Sequence, residues 1–324
     1  MERRGFLWGM GATAAAVAAG VGPAWAQGGD VSRIVFPFGA GGGGDLVSRT
    51  VAEALATELN RTFVVENRTG ADGRIGIQAV KAAPPDGKTF LITTGPTMWL
   101  YPMTKDNVGY DPFGDFEPIG QIALFEFCFA VPKDSPHKTL KDVAVWAKAN
   151  PDKATYALPG AGTIPHFIGV SLAKAFGGPM RHLAYRGGAP AITDLVGNQI
   201  PLSVGTLADA LAQHQAGSIR ILATSGTKRS QFTPDVPTII ESGFDVSGDA
   251  WYGMWAPKGT AKAQTDVVGA ALRKLLTRTD VKERLFKAGL VATGTNGDDL
   301  VAMMKANVAR WKPVIEAGGD EMKK

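Results

Sequence analysis

Between Ile34 and Leu59 a short apolar run, a cluster of glycines and an amphipathic stretch follow one another, and that order leaves few folds open. Ile34, Val35 and Phe36 read as a strand, closed by Pro37, which has no amide hydrogen to give a ladder. Val47, Val51, Leu55 and Leu59 recur four apart with Ala54 between them, so the helix that follows has one apolar face. Gly39 and Gly41 to Gly44 lie between the two. Without Cβ atoms the backbone there takes φ > 0 freely and can come close to a ligand. The first amides of the helix lack intrahelical partners, so the turn reads as an anion cradle, with a plain flexible strand–helix turn as the alternative.

A phosphate loop would carry Lys and then Ser or Thr after its last glycine, where this chain has Asp45 and Leu46. A carboxylate in that place argues against a nucleotide triphosphate. Gly39, Gly41 and Gly44 satisfy the dinucleotide fingerprint, and Glu66 follows the next strand at about the right distance. With so many glycines the pattern is met easily by chance. An exported dinucleotide-dependent oxidoreductase is therefore the rival reading.

Strand, small-residue loop and helix start recur along the chain. Strands are expected at Phe63–Glu66, Thr89–Thr93, Phe125–Val131, Ala154–Ala157, Arg181–Tyr185, Pro201–Val204, Ile219–Ala223 and Trp251–Ala256. Helices are expected at Ile75–Ala83, Leu140–Asn150, Pro165–Phe176, Ala189–Val196, Ala208–Gln215, Ala261–Leu276, Asp280–Lys287 and Gly297–Ile315. This alternation predicts α/β architecture with a mainly parallel sheet, and ligands in such sheets sit beyond the carboxyl ends of strands. The loops after Phe36 and Thr93 should then share an edge. Two such lobes with facing loop edges make a cleft for a small ligand.

The ends and the composition narrow the class. Arg3-Arg4 followed by Gly5, Phe6 and Leu7, an Ala/Gly-rich stretch and Ala24-Trp25-Ala26 read as a twin-arginine-type signal over residues 1–26, with cleavage before Gln27. The stretch is too short and too weakly apolar to span a membrane. The mature protein is expected in the periplasm. The net charge of +4 comes from scattered Lys and Arg with no basic tract, so nucleic acid is not an expected partner. A single cysteine, Cys128, excludes an internal disulfide, and its apolar surroundings predict a buried, inert thiol.

Chemistry-bearing clusters are scarce. His137, His166, His182 and His214 are far apart and predict no metal site. No nucleophile elbow is present. His166, in the first turn of a helix, reads either as a ligand-side donor or as a packing histidine. Asp45 is expected to satisfy loop amides and the helix dipole. Thr163 is placed to cap the helix that Pro165 enters. Arg186, between a strand end and two glycines, can reach a carboxylate with a bidentate fork, or can simply be a surface arginine. Backbone donors, hydroxyls and one arginine around a cleft suit anion binding rather than catalysis, and require no cofactor.

Over nearly all of its mature length the chain resembles the Bug family of periplasmic solute-binding proteins, the receptors of tripartite tricarboxylate transporters. The stretches that carry the resemblance are PFGAGGGGD (37–45), VVENRTGADGRIG (64–76), PPDGKTFLITT (84–94), YALPGAGTIPH (156–166), AYRGGAPAITDLVGNQI (184–200), ATSGTKRS (223–230) and PDVPTIIESGF (234–244). The resemblance implies a two-lobed periplasmic binding protein fold, type II-like, that closes by a hinge around a small carboxylate. It implies lobe 1 over 27–127 and 251–324, lobe 2 over 128–250, a monomer, and partnership with transporter membrane subunits or a sensor. Carried over by position, the ligand groups are Phe38, Gly39, Ala40, Gly41 and Gly42, then Thr94 and Gly95. Lobe 2 would add Gly160, Ala161, Gly162, Thr163 and His166, then Tyr185, Arg186 and Gly187, and the turn of Thr206 and Asp209. Two departures stand out. Where the family usually has Phe-Asp-Asn-Leu-Pro-Ser this chain has VGTLAD (204–209), losing an acid at Gly205, and Leu158-Pro159 replaces a small polar pair. Both imply a less polar distal pocket. The lost acid would have paired an amino group, so an organic acid with an apolar or aromatic body is expected rather than an amino acid.

Overall fold

The computed structural model describes residues 31–318, so the predicted signal segment lies outside the described residues. In chain order, β1 (Val31–Phe36) leads into α1 (Gly43–Leu59), β2 (Thr62–Asn67), α2 (Arg74–Lys81) and β3 (Thr89–Thr94). Two short helices follow, α3 (Gly95–Trp99) and α4 (Tyr101–Thr104), and then β4 (Phe116–Pro132). A second set comprises α5 (Leu140–Ala149), β5 (Thr155–Leu158), α6 (Ile164–Phe176), β6 (Arg181–Ala184), α7 (Gly188–Val196), β7 (Leu202–Thr206), α8 (Leu207–Gln215) and β8 (Ile219–Thr224). The chain then returns through β9 (Asp249–Pro257) and finishes with α9 (Lys262–Leu275), α10 (Thr279–Lys287), β10 (Leu290–Ala292) and α11 (Gly297–Gly318).

The strands run in the order β2-β1-β3-β9-β4-β7-β5-β6, with β8 and β10 also paired to β4. Only the flanks are parallel: β1 with β2 and β3, and β5 with β6 and β7. The middle is antiparallel, which corrects the expectation of a mainly parallel sheet. The cause is the route of the chain. It leaves the first lobe along β4 and comes back along β9, so these two strands must run in opposite directions.

The 17-residue β4 belongs to both lobes. Its first part, through Glu126, pairs with β9, and from Phe127 onward it pairs with β7 and β8. The sequence reading recovered only its second half, because Pro118 and Gly120 look like strand breakers. Both sit where the register against β9 shifts, and a bulge tolerates the missing amide. Ser225 ties the crossing: its hydroxyl donates to the Gly248 carbonyl and accepts from the Phe127 amide.

Helix α1 packs as its periodicity predicts, with Val47, Val51 and Leu55 fully buried and Asn60 closing it in the left-handed region. Each such side chain contributes about 1.5–3 kcal/mol of burial. A large core reaches through both lobes, and a smaller one, including Ile192, Leu195 and Leu207, lies beneath α7 and α8. Cys128 is 2% exposed and packs in that smaller core. Burial pushes its thiol far above the usual range, as an inert cysteine requires. Among the described residues no helix is long and apolar enough to cross a membrane.

Candidate functional site

The ends of β1, β3, β5 and β7 all deliver loops to one cleft between the lobes. About 570 Å³ of empty space, counting its open mouth, lies between them. From the first lobe come Phe36, Phe38, Gly39, Gly42, Gly44, Thr94 and Pro96. From the second come Pro159, Thr163, Ile164, Pro165, Gly187, Gly188, Thr206 and Asp209, while Phe125, Phe127 and Tyr252 floor it at the lobe crossing. Phe125 stacks on Tyr252 with ring centres 4.5 Å apart and meets Phe127 edge-on at 5.4 Å. The shared edge expected for the loops after Phe36 and Thr93 is present, because β1 and β3 are parallel neighbours.

Four helices of nine residues or more, α1, α6, α7 and α8, begin at this wall. Each start leaves amides without intrahelical partners and a partial positive charge, so the cleft favours anions although none of its lining residues is a cation.

The glycine loop is largely occupied by the chain itself. Asp45 accepts from the Gly41 amide at 3.0 Å, from Arg49 Nε at 2.9 Å and from Asn67 Nδ2 at 2.9 Å. Burial alone would raise its carboxyl, but the bonds from Arg49, Gly41 and Asn67 outweigh it and hold the group below the ordinary value. Asp45 thus does what the sequence predicted.

Two bonds cross the cleft. The Gly39 amide donates to the Arg186 carbonyl at 3.1 Å, and the Gly43 amide donates to Asp209 Oδ1 at 2.7 Å. Asp209 lies in the first turn of α8, whose N-cap Thr206 accepts from the Asp209 amide at 3.3 Å. Burial pushes the Asp209 carboxyl up, and the Thr206 and Gly43 bonds offset this only in part.

Eight of the residues singled out from sequence meet at the cleft: Phe38, Gly39, Gly42, Thr94, Thr163, Gly187, Thr206 and Asp209. The others lie beside it. Ala40 is exposed and Gly41 serves Asp45. Gly95 is a packing glycine, since a Cβ there would come 2.4 Å from the Trp251 ring. Gly160 accepts from the Thr163 hydroxyl at 2.6 Å, so Thr163 holds the N-cap position but turns its hydroxyl back into the loop instead of onto the helix. Gly162 donates to His166 Nδ1 at 3.2 Å, and Ala161 is half-buried between them. His166 is 2% exposed, faces His182 at 4.3 Å between ring centres, and lines a separate surface hollow. Burial, His182 and Lys105 lower it to about 4. Tyr185 donates to Asp194 at 2.7 Å, and Arg186 offers the cleft edge its carbonyl while its residue is exposed.

Sequence reading missed the aromatic floor. Its one signal was the i, i+2 spacing of Phe125 and Phe127, which puts both rings on one face of a strand. Gly205 does not line the cleft, whereas Asp209, carried over by position as a ligand group, does. The dinucleotide reading finds no support. Glu66 is held by Arg68 at 2.9 Å and Arg33 at 3.4 Å, and three of the loop amides already have partners within the chain.

Two lobes joined by shared strands, with facing loops and helix starts around a small cleft, define a periplasmic binding protein fold. The family model described as "tripartite tricarboxylate transporter family receptor" matches residues 47–319, and the chain belongs to that family, TctC. It is 33% identical over 325 residues to the UPF0065 protein of the gbd 5′ region of Cupriavidus necator, covering 98% of each chain. Among solved structures, the periplasmic binding protein BugD superposes with a TM-score of 0.84 at 34% identity, covering 89% of this chain and 97% of that one. An R. palustris protein solved with adipate superposes with a TM-score of 0.85 at 27% identity, covering 91% and 98%.

Proposed function

We propose that the protein is an exported solute receptor that closes its lobes on a small organic carboxylate with an apolar or aromatic body and hands it to the membrane subunits of a tripartite transporter. The observation that carries this reading is the cleft itself: four helix starts supply the anion field, and aromatic rings and prolines supply an apolar wall. The carboxylate seen in the R. palustris relative supports the ligand class, and the family description supports the transporter partner. Closure would pivot where β4 changes partners between Glu126 and Phe127, with lobes of 27–127 plus 251–324 and 128–250, and export would use the twin-arginine-type leader.

A thermal-shift screen against mono-, di- and tricarboxylates, amino acids and nicotinamide dinucleotides tests the reading. A ligand at about a hundred times its Kd adds roughly 2.7 kcal/mol to folding stability, a melting shift that is easily read. Stabilisation by a carboxylate class is the expected result. Stabilisation by dinucleotides alone, or by amino acids alone, would overturn it.

A further inference from the structure

The lining of the cleft contains one carboxyl group, Asp209, and no Lys, Arg or His. That carboxyl is wedged between the lobes. Its Oδ1 takes the Gly43 amide at 2.7 Å, at the very start of the 17-residue α1. Glycines make the room: a Cβ on Gly42 would lie 2.7 Å from Oδ1, and one on Gly188 only 1.7 Å from Oδ2. The sequence therefore keeps a position bare on each side, Gly42 in the opposite lobe and Gly188 in the same one, and fills the space with the acid. An amide at a helix start is the natural seat for an anionic end of a ligand, and here the chain has seated its own.

We propose that Asp209 sets the ligand class of the cleft, admitting acids with a single carboxylate and rejecting dicarboxylates because it stands where a second carboxylate would dock. The inference rests on the carboxylate-receptor reading and narrows it. A second ligand carboxylate about 6 Å from Asp209, at an effective dielectric of about 20, binds about a hundredfold more weakly than a neutral end of the same size. A hydroxyl or amide at that end loses nothing, since Asp209 can accept from it. The single carboxylate is left with the start of the 13-residue α6 at the wall. The body of the ligand lies against Phe36, Phe125 and Tyr252.

The test is calorimetric titration of the purified protein with two matched pairs, hexanoate against adipate and benzoate against terephthalate. Within a pair the wild type should bind the monoacid at least tenfold more tightly. Asp209→Asn, which keeps the shape and removes the charge, should raise the ratio of diacid to monoacid affinity roughly a hundredfold. A wild type that binds diacid and monoacid equally, or an Asn variant in which that ratio does not rise, overturns the inference while leaving the receptor reading intact. If the variant does not fold, as judged by its melting curve, the wild-type comparison within each pair decides alone. Failure of all four acids to bind either protein would overturn the receptor reading for these bodies, and the inference with it.

Discussion

Asp45 and Asp209 serve the same glycine loop from opposite sides, and they are opposite kinds of residue. Asp45 comes from within the loop's own helix, four residues after the amide it accepts, and is saturated by Arg49, Asn67 and Gly41. Its carboxyl is held below the ordinary value. Asp209 comes from another lobe, 166 residues away, has one loop amide for a partner and is pushed up by burial. A carboxylate with a full set of local donors holds a backbone in shape. One that crosses a cleft with few donors carries a desolvation cost that its partners only partly offset.

The largest separation between the two should be in stability. Asp45→Asn, measured by urea unfolding, should cost about 3 kcal/mol, because one amide oxygen cannot replace the two charged oxygens that serve Gly41, Arg49 and Asn67. Asp209→Asn should change stability by less than about 1 kcal/mol. Equal losses from the two variants would erase the distinction.

Acid titration sharpens it next. His166 has a folded-state value of about 4, against about 6.5 when unfolded, so the native state resists the proton that the unfolded state accepts. The stability associated with neutral His166 is complete above about pH 6.5 and lost as pH falls to about 4, up to roughly 3 kcal/mol. His166→Asn should flatten that slope. In the carboxylate range the two acids part company. The contribution of Asp45, whose value is lowered, is present above the ordinary carboxylate value and is lost as pH falls through its folded value. Asp209, whose value is raised, changes in the reverse sense: acid relieves its desolvation. An unfolding profile of Asp209→Asn in which the acid limb is steeper than in wild type matches this sign, and a shallower one contradicts it.

The smallest effect is expected at Arg186. Its carbonyl, not its guanidinium, meets the loop at Gly39, so Arg186→Ala should leave carboxylate affinity within about twofold in the same titrations. A tenfold loss would show that the guanidinium reaches the ligand, and the cleft would then have a cation after all.

Local features were legible in the sequence and distant ones were not. The strand–glycine–helix unit, the cap-like role of Asp45 and the buried Cys128 all depend on residues a few positions apart, and composition and spacing reveal them. The wedge formed by Asp209 against Gly42, Gly43 and Gly188 depends on two lobes meeting, and no periodicity encodes that. His166 read equally well as donor or packing group because its first-turn position is the same in both cases, and only the fold shows that its ring turns to His182. The first half of β4 was hidden by Pro118 and Gly120, whose cost the bulges absorb.

The shared strands also dictate an order of assembly. β9 is inserted between β3 and β4, so Thr94 must find Tyr252 before the first sheet is continuous. The elements α5 to β8 form one uninterrupted stretch and can condense as soon as they are synthesised, whereas the first sheet stays open at its middle until the chain has gone out and come back. The lobe begun first is therefore the lobe finished last. In the interval the facing edges of β3 and β4 are bare ladders, the kind of edge that pairs with other chains.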